Sequence, residues 1–406
     1  MKLKDVNMTA QEIKETAEQY IYIPYKNYDA VMEDAKEQYL YDSEGKEYLD
    51  FFAGVAVMNC GQANKRVAEA IKEQVDGVTQ TCNYFYNVPA TMLAKKLCDA
   101  IGMDRIIYQN SGAEANEAMI KLARKYGTDH YGPEKYEIIT AKRSFHGRTF
   151  AAMTATGQPG GPIQNGFGEL VPGIKYAEYN NLKSFEDALT ENTIAIMVEP
   201  VQAEGGVYPG TEEFLTGLRK LCDEKGLLLL FDEVQTGLGR TGALMCYMNY
   251  GIKPDIVTLA KALGNGMPIG ACCSTAEVGK SFKNGCGEHG TTFASNALQC
   301  AAGYASVSEI IERDLSANAK KMGEYFAEKL KCLPHVKEIR GKGLLVGVEL
   351  DKPVAGDVKQ AAFRSGLLVC NLGDSIIRMV PPLIIDEKDC DKAFDILKKS
   401  IEEVYA

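Results

Sequence analysis

Between about residues 100 and 275 the chain alternates short, almost unbroken apolar runs with stretches of helical periodicity, and this alternation limits its fold more than any other feature. The runs are RIIYQN, YEIITAK, IAIMVEPV, LLLLFDEV, DIVTLA and IGACC. A strand wetted on one face alternates apolar and polar residues, whereas a strand covered on both faces does not. Six runs of the covered kind, separated by helices, predict an α/β fold with a mostly parallel sheet flanked by helices. Ligands in such sheets collect at the carboxyl ends of the strands, so the loops after these runs are where chemistry is expected.

The flanking regions read differently. YLYD and KEYLDF, on either side of Ser43-Glu44-Gly45, predict an early β-hairpin. Residues 297–330 read as one long helix, and VKEIRGKGLLVGVEL as a hairpin turning at Gly341-Lys342-Gly343. A short helix, the run LLVC and a last helix from about Glu387 complete a smaller α+β lobe. The expected division is an N-terminal segment with the hairpin, belonging to the small lobe (1–60), a large α/β domain (61–300) and a small C-terminal domain (301–406).

The formal net charge of -10 speaks against general nucleic-acid or anionic-membrane binding. No apolar run approaches the ~20 residues of a membrane span, and the first residues carry no signal-like apolar stretch, so a cytoplasmic protein is expected. The 12 cysteines form no Cys-x-x-Cys pair, and with only 4 histidines a metal site is not expected.

Four segments carry candidate chemistry. In YQNSGAEANEAMIKLARKYG, Ser111 can cap a helix with Glu114 completing a capping box, and Gly127 is a plausible stop. Gly112 leaves the first-turn N–H groups open, as a phosphate cradle requires; alone, the segment reads better as an ordinary capped helix. The run LLLLFDEV ends in Asp232-Glu233, a carboxylate placed to hold a protonated ring nitrogen. Twenty-nine residues later DIVTLA delivers Lys261 before a Gly-rich turn, where desolvation would lower its pKa and favour attack on carbonyls. In SFHGRTF, Phe145 and His146 can stack on a ring and Arg148 can fork onto a carboxylate. In GEHGTTFASNAL, Thr291 and Thr292 can bind phosphate or simply cap the next helix.

Taken in order, SGAEAN, FHGRT, EPVQAEGG, DEVQTGLGRTG, TLAKALGNGMPIG, HGTTF and RMVPPL closely resemble the class III pyridoxal-phosphate aminotransferases, from roughly Tyr39 to the C-terminus. The resemblance implies the type I fold of pyridoxal-phosphate enzymes and pyridoxal 5'-phosphate as cofactor. Within the family the pattern is nearest to members that transaminate N2-acetylornithine with 2-oxoglutarate in arginine synthesis; members acting on 4-aminobutyrate, ornithine or succinylornithine are the alternative.

It also implies roles. Lys261 would hold the cofactor covalently and shuttle the substrate proton, and Asp232 would salt-bridge the pyridine nitrogen. Gln235 would contact the ring hydroxyl, with Val234 beside it, and Phe145 would stack on the ring. Ser111, Gly112 and Ala113 would bind the phosphate, joined by Thr292 from a second subunit, which implies a homodimer with shared sites. Arg378 would take the substrate α-carboxylate, and Arg148 and Thr291 the acylated donor. Glu204 would cover Arg378 in one half-reaction and release it in the other. The chain departs from the family pattern at CGQANKRV (60–67), at Ala203 and at Ala294-Ser295-Asn296-Ala297, positions that bear on substrate and dimer surfaces rather than on the cofactor.

Overall fold

The computed structural model describes residues 1–406. Its largest sheet has seven strands in the order Arg105–Gln109, Gly270–Ser274, Ile256–Leu259, Leu228–Asp232, Thr193–Val198, Glu137–Ala141 and Ile174–Ala177. Every pairing from Ile256–Leu259 to Ile174–Ala177 is parallel. Gly270–Ser274 alone runs antiparallel to both its neighbours. All six apolar runs are therefore strands of one sheet. The seventh strand, Ile174–Ala177, lies at the edge and is only four residues long, with Lys175 paired to Glu137 at 2.7 Å, so it has no apolar run to announce it.

Alternate side chains of the central strands feed two cores. Ile196, Val198, Leu229, Phe231 and Val257 join the larger one, while Ala195, Met197, Leu228, Leu230 and Ile256 pack under the helix Gly112–Tyr131 through Met119 and Leu122. Both faces are covered, which is why the runs are unbroken.

The predicted hairpin forms, with Tyr39 opposite Leu49. Its sheet also contains Met32–Lys36 and, paired parallel to Glu47–Asp50, the distant Leu367–Leu368. A second antiparallel sheet has the order Val336–Lys342, Leu345–Leu350, Ile376–Met379, Cys370–Leu372. Arg240, fully buried, ties these regions together: Nη1 donates to the carbonyls of Leu344 (3.0 Å) and Pro381 (2.5 Å), and Nη2 to Asn59 Oδ1 (2.5 Å). No helix is long and apolar enough to cross a membrane.

Three sequence expectations are corrected. The C-terminal hairpin forms, but Gly341 and Lys342 pair with Val346 and Leu345, so its turn is Gly343-Leu344 and not Gly341-Lys342-Gly343. The long helix is two, Ala297–Glu312 and Leu315–Leu330, broken at Asp314, whose φ of 48° is left-handed and whose side chain caps the second helix. Gly127 does not stop its helix, which continues to Tyr131 and ends at Gly132. Gly127 is instead a point of close approach: a Cβ there would lie 2.1 Å from the Lys135 carbonyl oxygen and 2.8 Å from Ile194 Cγ1. Helix propensity alone favours alanine by about 1 kcal/mol. The overlap reverses the sign, and Gly127→Ala is expected to destabilise the fold by about 1–3 kcal/mol, read as a lower urea midpoint at unchanged slope. A higher midpoint would show that the helix can move away from Lys135.

Candidate active site

Parallel register brings the first two candidates to one edge. Leu230 faces Ile256 and Asp232 faces Thr258, so Lys261, three residues past Thr258, leaves the sheet beside the end of the Asp232 strand. Lys261 opens a short 3-10 turn, Lys261–Leu263, with a φ of 48°, a left-handed conformation that a side-chain-bearing residue adopts at a cost. Burial pushes its amine down to about 8, against the pull of Glu204 and Asp232.

Asp232 is held by three donors. Asn116 Nδ2 and His146 Nδ1 reach Oδ2 at 2.7 and 2.8 Å, and the Val234 N–H reaches Oδ1 at 3.0 Å. Asn116 is itself oriented by Thr258 Oγ1, which donates to Asn116 Oδ1 at 2.7 Å, and by the His146 carbonyl at 2.7 Å. His146 is therefore committed beneath the carboxylate with its side chain fully buried, and the expectation that it stacks on a ring is corrected. Phe145, its half-buried neighbour, remains toward the opening, with its N–H donating to Glu199 Oε2 at 3.0 Å. Burial, reinforced by Asp232, pushes the Glu199 carboxyl far above the usual range.

A second pair lies alongside. The Glu204 carboxylate accepts from Arg378 Nη1, and Gln235 bridges both, donating to Glu204 at 3.2 Å and accepting from Arg378 at 3.3 Å. Cys370 Sγ accepts from Arg378 Nη2 at 3.5 Å, while the buried Arg378 Nε has no partner. Burial would raise the Glu204 carboxyl, but Arg378 and Lys261 outweigh it and hold it below the usual range.

The segment expected to cradle an anion is the start of the helix Gly112–Tyr131. The Ser111 hydroxyl accepts the Glu114 N–H at 3.2 Å, and the returning carboxylate takes the Asn110 N–H at 2.9 Å rather than that of Ser111, a shifted version of the expected capping box. Helix geometry leaves the Gly112 and Ala113 N–H groups without intrahelical partners. A Cβ on Gly112 would sit 2.7 Å from Val234 Cγ1, so glycine lets the helix start dock against the Asp232 loop. Thr291 Oγ1 accepts from Asn110 Nδ2 at 3.2 Å, beside this helix start. Thr292 is exposed and joins none of these contacts; its carbonyl accepts from Gln80 Nε2 at 2.7 Å. Neither threonine caps the next helix, since Asn296 does. Arg148 is exposed, 5.8 Å from the Phe145 ring centroid, and donates to the Tyr25 hydroxyl. A cleft of about 630 Å³ lined by Gln62, Arg66, Glu309 and Asp389 lies apart from the site and includes none of its residues.

The family model for class-III aminotransferases matches residues 21–401. The chain belongs to that family. The acetylornithine aminotransferase of Caldanaerobacter subterraneus subsp. tengcongensis is 43% identical to it over 389 residues, covering 95% of this chain and 98% of the relative. Among solved structures, the ornithine aminotransferase from Toxoplasma gondii ME49 superposes with a TM-score of 0.93 at 32% identity, covering 98% of this chain and 96% of the other. The acetylornithine aminotransferase from Elizabethkingia anophelis gives a TM-score of 0.86 at 30% identity, covering 98% and 100%.

For this class III aminotransferase, sequence reasoning missed Asn116, Thr258, Glu199 and Tyr25. The first three are buried polar residues on a helix face or at strand ends, and only the fold turns them toward Asp232 or Phe145. A buried asparagine one turn into an apolar helix face is the one signal that was available. The depressed Lys261 amine predicts that, in cofactor-free protein, reductive alkylation of Lys261 has a pH midpoint near 8, whereas exposed lysines respond only above about 10. Mass spectrometry of the labelled peptides measures this; a Lys261 midpoint with the surface lysines would contradict the burial described here.

Proposed function

We propose that this aminotransferase moves the amino group of N2-acetylornithine to 2-oxoglutarate, giving N-acetylglutamate 5-semialdehyde and glutamate, with pyridoxal 5'-phosphate as its cofactor. The observation that carries the reading is the Glu204–Arg378 pair beside Lys261: a carboxylate-binding arginine already covered by a carboxylate of the protein. The relative at 43% identity, an acetylornithine aminotransferase, supports the choice of donor.

The residues present fit the cofactor. The open first turn at Gly112 and Ala113 suits its phosphate, Asp232 suits its ring nitrogen, and the lowered Lys261 amine suits its aldehyde. Phe145, half-buried beside His146, would pack on the cofactor's ring. When bound, the cofactor supplies an aldehyde carbon that takes up the amino group and a ring that delocalises the electron pair released at the donor carbon.

The rest is the work of the chain. Lys261 Nζ, neutral above about pH 8, accepts the proton from the amine-bearing carbon and returns it at the product stage. Asn116, His146 and the Val234 N–H keep Asp232 in one orientation. With the ω-amino donor, Glu204 stays on Arg378 and denies it to the donor's own α-carboxylate, leaving Arg148 and Thr291 at the mouth to take the acylated end. With glutamate, the γ-carboxylate requires Arg148 and the α-carboxylate displaces Glu204. One site thereby serves two substrates that present their amines on different carbons.

The protein is proposed to act as a homodimer in the cytoplasm. Tyr84, Phe85, Tyr86, Val88 and Phe293 form an exposed apolar patch, and Asn83 and Asn87 tie that segment to the loop carrying Thr292 through the Thr291 and Ser295 carbonyls, both at 2.9 Å. A patch of this kind marks an association surface. A second copy seated there would put Thr292 in reach of the other subunit's Gly112–Ala113 helix start, the role the family pattern gives it. The 12 cysteines are all free, in keeping with a reducing compartment.

Glutamate formation from 2-oxoglutarate, with N-acetylornithine, succinylornithine, ornithine and 4-aminobutyrate as separate donors, tests the reading. N-acetylornithine is expected to give the highest kcat/KM, and Lys261→Ala to lower turnover by about a thousandfold or more. Preference for another donor would keep the Lys261 chemistry and replace the substrate. Phe85→Asp is expected to shift sedimentation toward monomer and to lower activity in parallel; a fully active monomer would refute the shared site.

A further inference from the structure

Arg340, Gly347 and Arg378 stand in one row of the C-terminal sheet, Arg340 paired with Gly347 and Gly347 with Arg378. Directly paired residues share a face, so two arginines flank a position that has no side chain. The small hairpin formed by Val201–Gln202 and Tyr208–Pro209 lays its tip in that gap. A Cβ on Gly347 would lie 2.9 Å from Val207 Cβ, so only glycine admits the tip this closely. On one side of the gap Glu204 pairs with Arg378. On the other, Arg340 Nε donates to the Gly206 carbonyl at 2.7 Å, and its guanidinium lies 4.1 Å from the Tyr208 ring centroid.

The tip is strained. Val207, a β-branched residue, has a φ of 58°, and Gly206 a φ of 119°. Such a conformation persists only where its surroundings over-determine it. Arg340 is nearly fully buried and is itself anchored through Nη1 to Glu349 at 2.6 Å and Glu338 at 2.7 Å, so it can hold the tip from a fixed base.

We propose that Arg340 is a positioning residue for substrate selection: by holding the Gly206 carbonyl and the Tyr208 ring, it fixes the backbone beneath Glu204, confining the exchange of Glu204 on and off Arg378 to the side chain. The inference rests on the reading in which Glu204 covers Arg378 for the ω-amino donor. Without the clamp the hairpin relaxes, Arg378 is covered less, and the donor's own α-carboxylate competes for it.

Single-turnover half-reactions of the holoenzyme with N-acetylornithine and with glutamate separate the possibilities. A wild-type protein inactive toward the acylated donor would remove the underlying reading, not this inference alone. Given an active wild type, Arg340→Met is expected to lower the specificity ratio of N-acetylornithine to glutamate by about tenfold, Tyr208→Leu to move it the same way, and Arg340→Lys to recover part of it. In a Glu204→Ala background, Arg340→Met is expected to leave the ratio unchanged, because its effect passes through Glu204. Hydrogen exchange gives a readout independent of turnover: amides of 204–207 are expected to exchange faster in Arg340→Met while those of Leu345–Leu350 do not. Equal losses in both half-reactions, the same ratio change with and without Glu204, or unaltered exchange at 204–207 would each overturn the proposal. Should Arg340→Met fail to fold, Arg340→Lys and Tyr208→Leu carry the same comparisons.

Discussion

The parallel pairing of Leu228–Asp232 with Ile256–Leu259 is the constraint on which the rest of the site depends. It sets Asp232 against Thr258 and so brings a carboxylate and, three residues later, an amine out at one sheet edge. Hydrogen bonds of the ladder fix this register to a single residue, and both faces of the strands are buried, so a slip would turn two cores inside out. The strain at Lys261 is the local consequence: the chain must leave the strand sharply to keep the amine at the edge. The helix starting at Gly112 then crosses beneath that edge and supplies both Asn116 and the open first-turn N–H groups of Gly112 and Ala113 from one rigid element.

Around this edge, carboxylates of identical chemistry are given different tasks by their neighbours. Asp232 receives three hydrogen bonds, two of them from groups held in turn by Thr258 and the chain itself. Glu204 faces a guanidinium and an ammonium, which hold it ionised in spite of burial. Glu199, buried and close to Asp232, is pushed toward its neutral form and serves instead as an acceptor that fixes the Phe145 loop. Burial, charge and hydrogen bonding shift a carboxyl in opposite senses, and here all three act within one cluster.

The C-terminal sheet contributes Arg378 to the site, and it is bound to the large sheet by contacts that local sequence does not announce. Arg240 joins Asn59, Leu344 and Pro381, and Arg378 meets Glu204 across 174 residues of chain. Both arginines are among the most deeply buried side chains of the protein. Burying a guanidinium is costly, and the bonds that the terminal nitrogens of both arginines make offset that cost, which makes the relative placement of the two sheets strict wherever these residues bridge them.

The sequence by itself determined the elements whose reason is local. Unbroken apolar runs revealed doubly covered strands, Ser111 its helix start, and the turn at Ser43–Gly45 its hairpin, because each follows from near-neighbour burial or capping; the second hairpin was legible too, though its turn lies at Gly343-Leu344 rather than at Gly341–Gly343. Lys261 and Asp232 were legible as residues placed at strand ends, and the family motifs gave them their expected roles. Only the tertiary structure decided what depends on distant partners. It placed His146 beneath Asp232 instead of on a ring, broke the helix at Asp314, carried another through Gly127 against the Lys135 carbonyl, and added an edge strand at Ile174–Ala177. It alone set Arg340, Gly347 and Arg378 in one row. Strand pairing joins residues far apart in the chain, and no periodicity within either segment records which partner, or which register, burial will select.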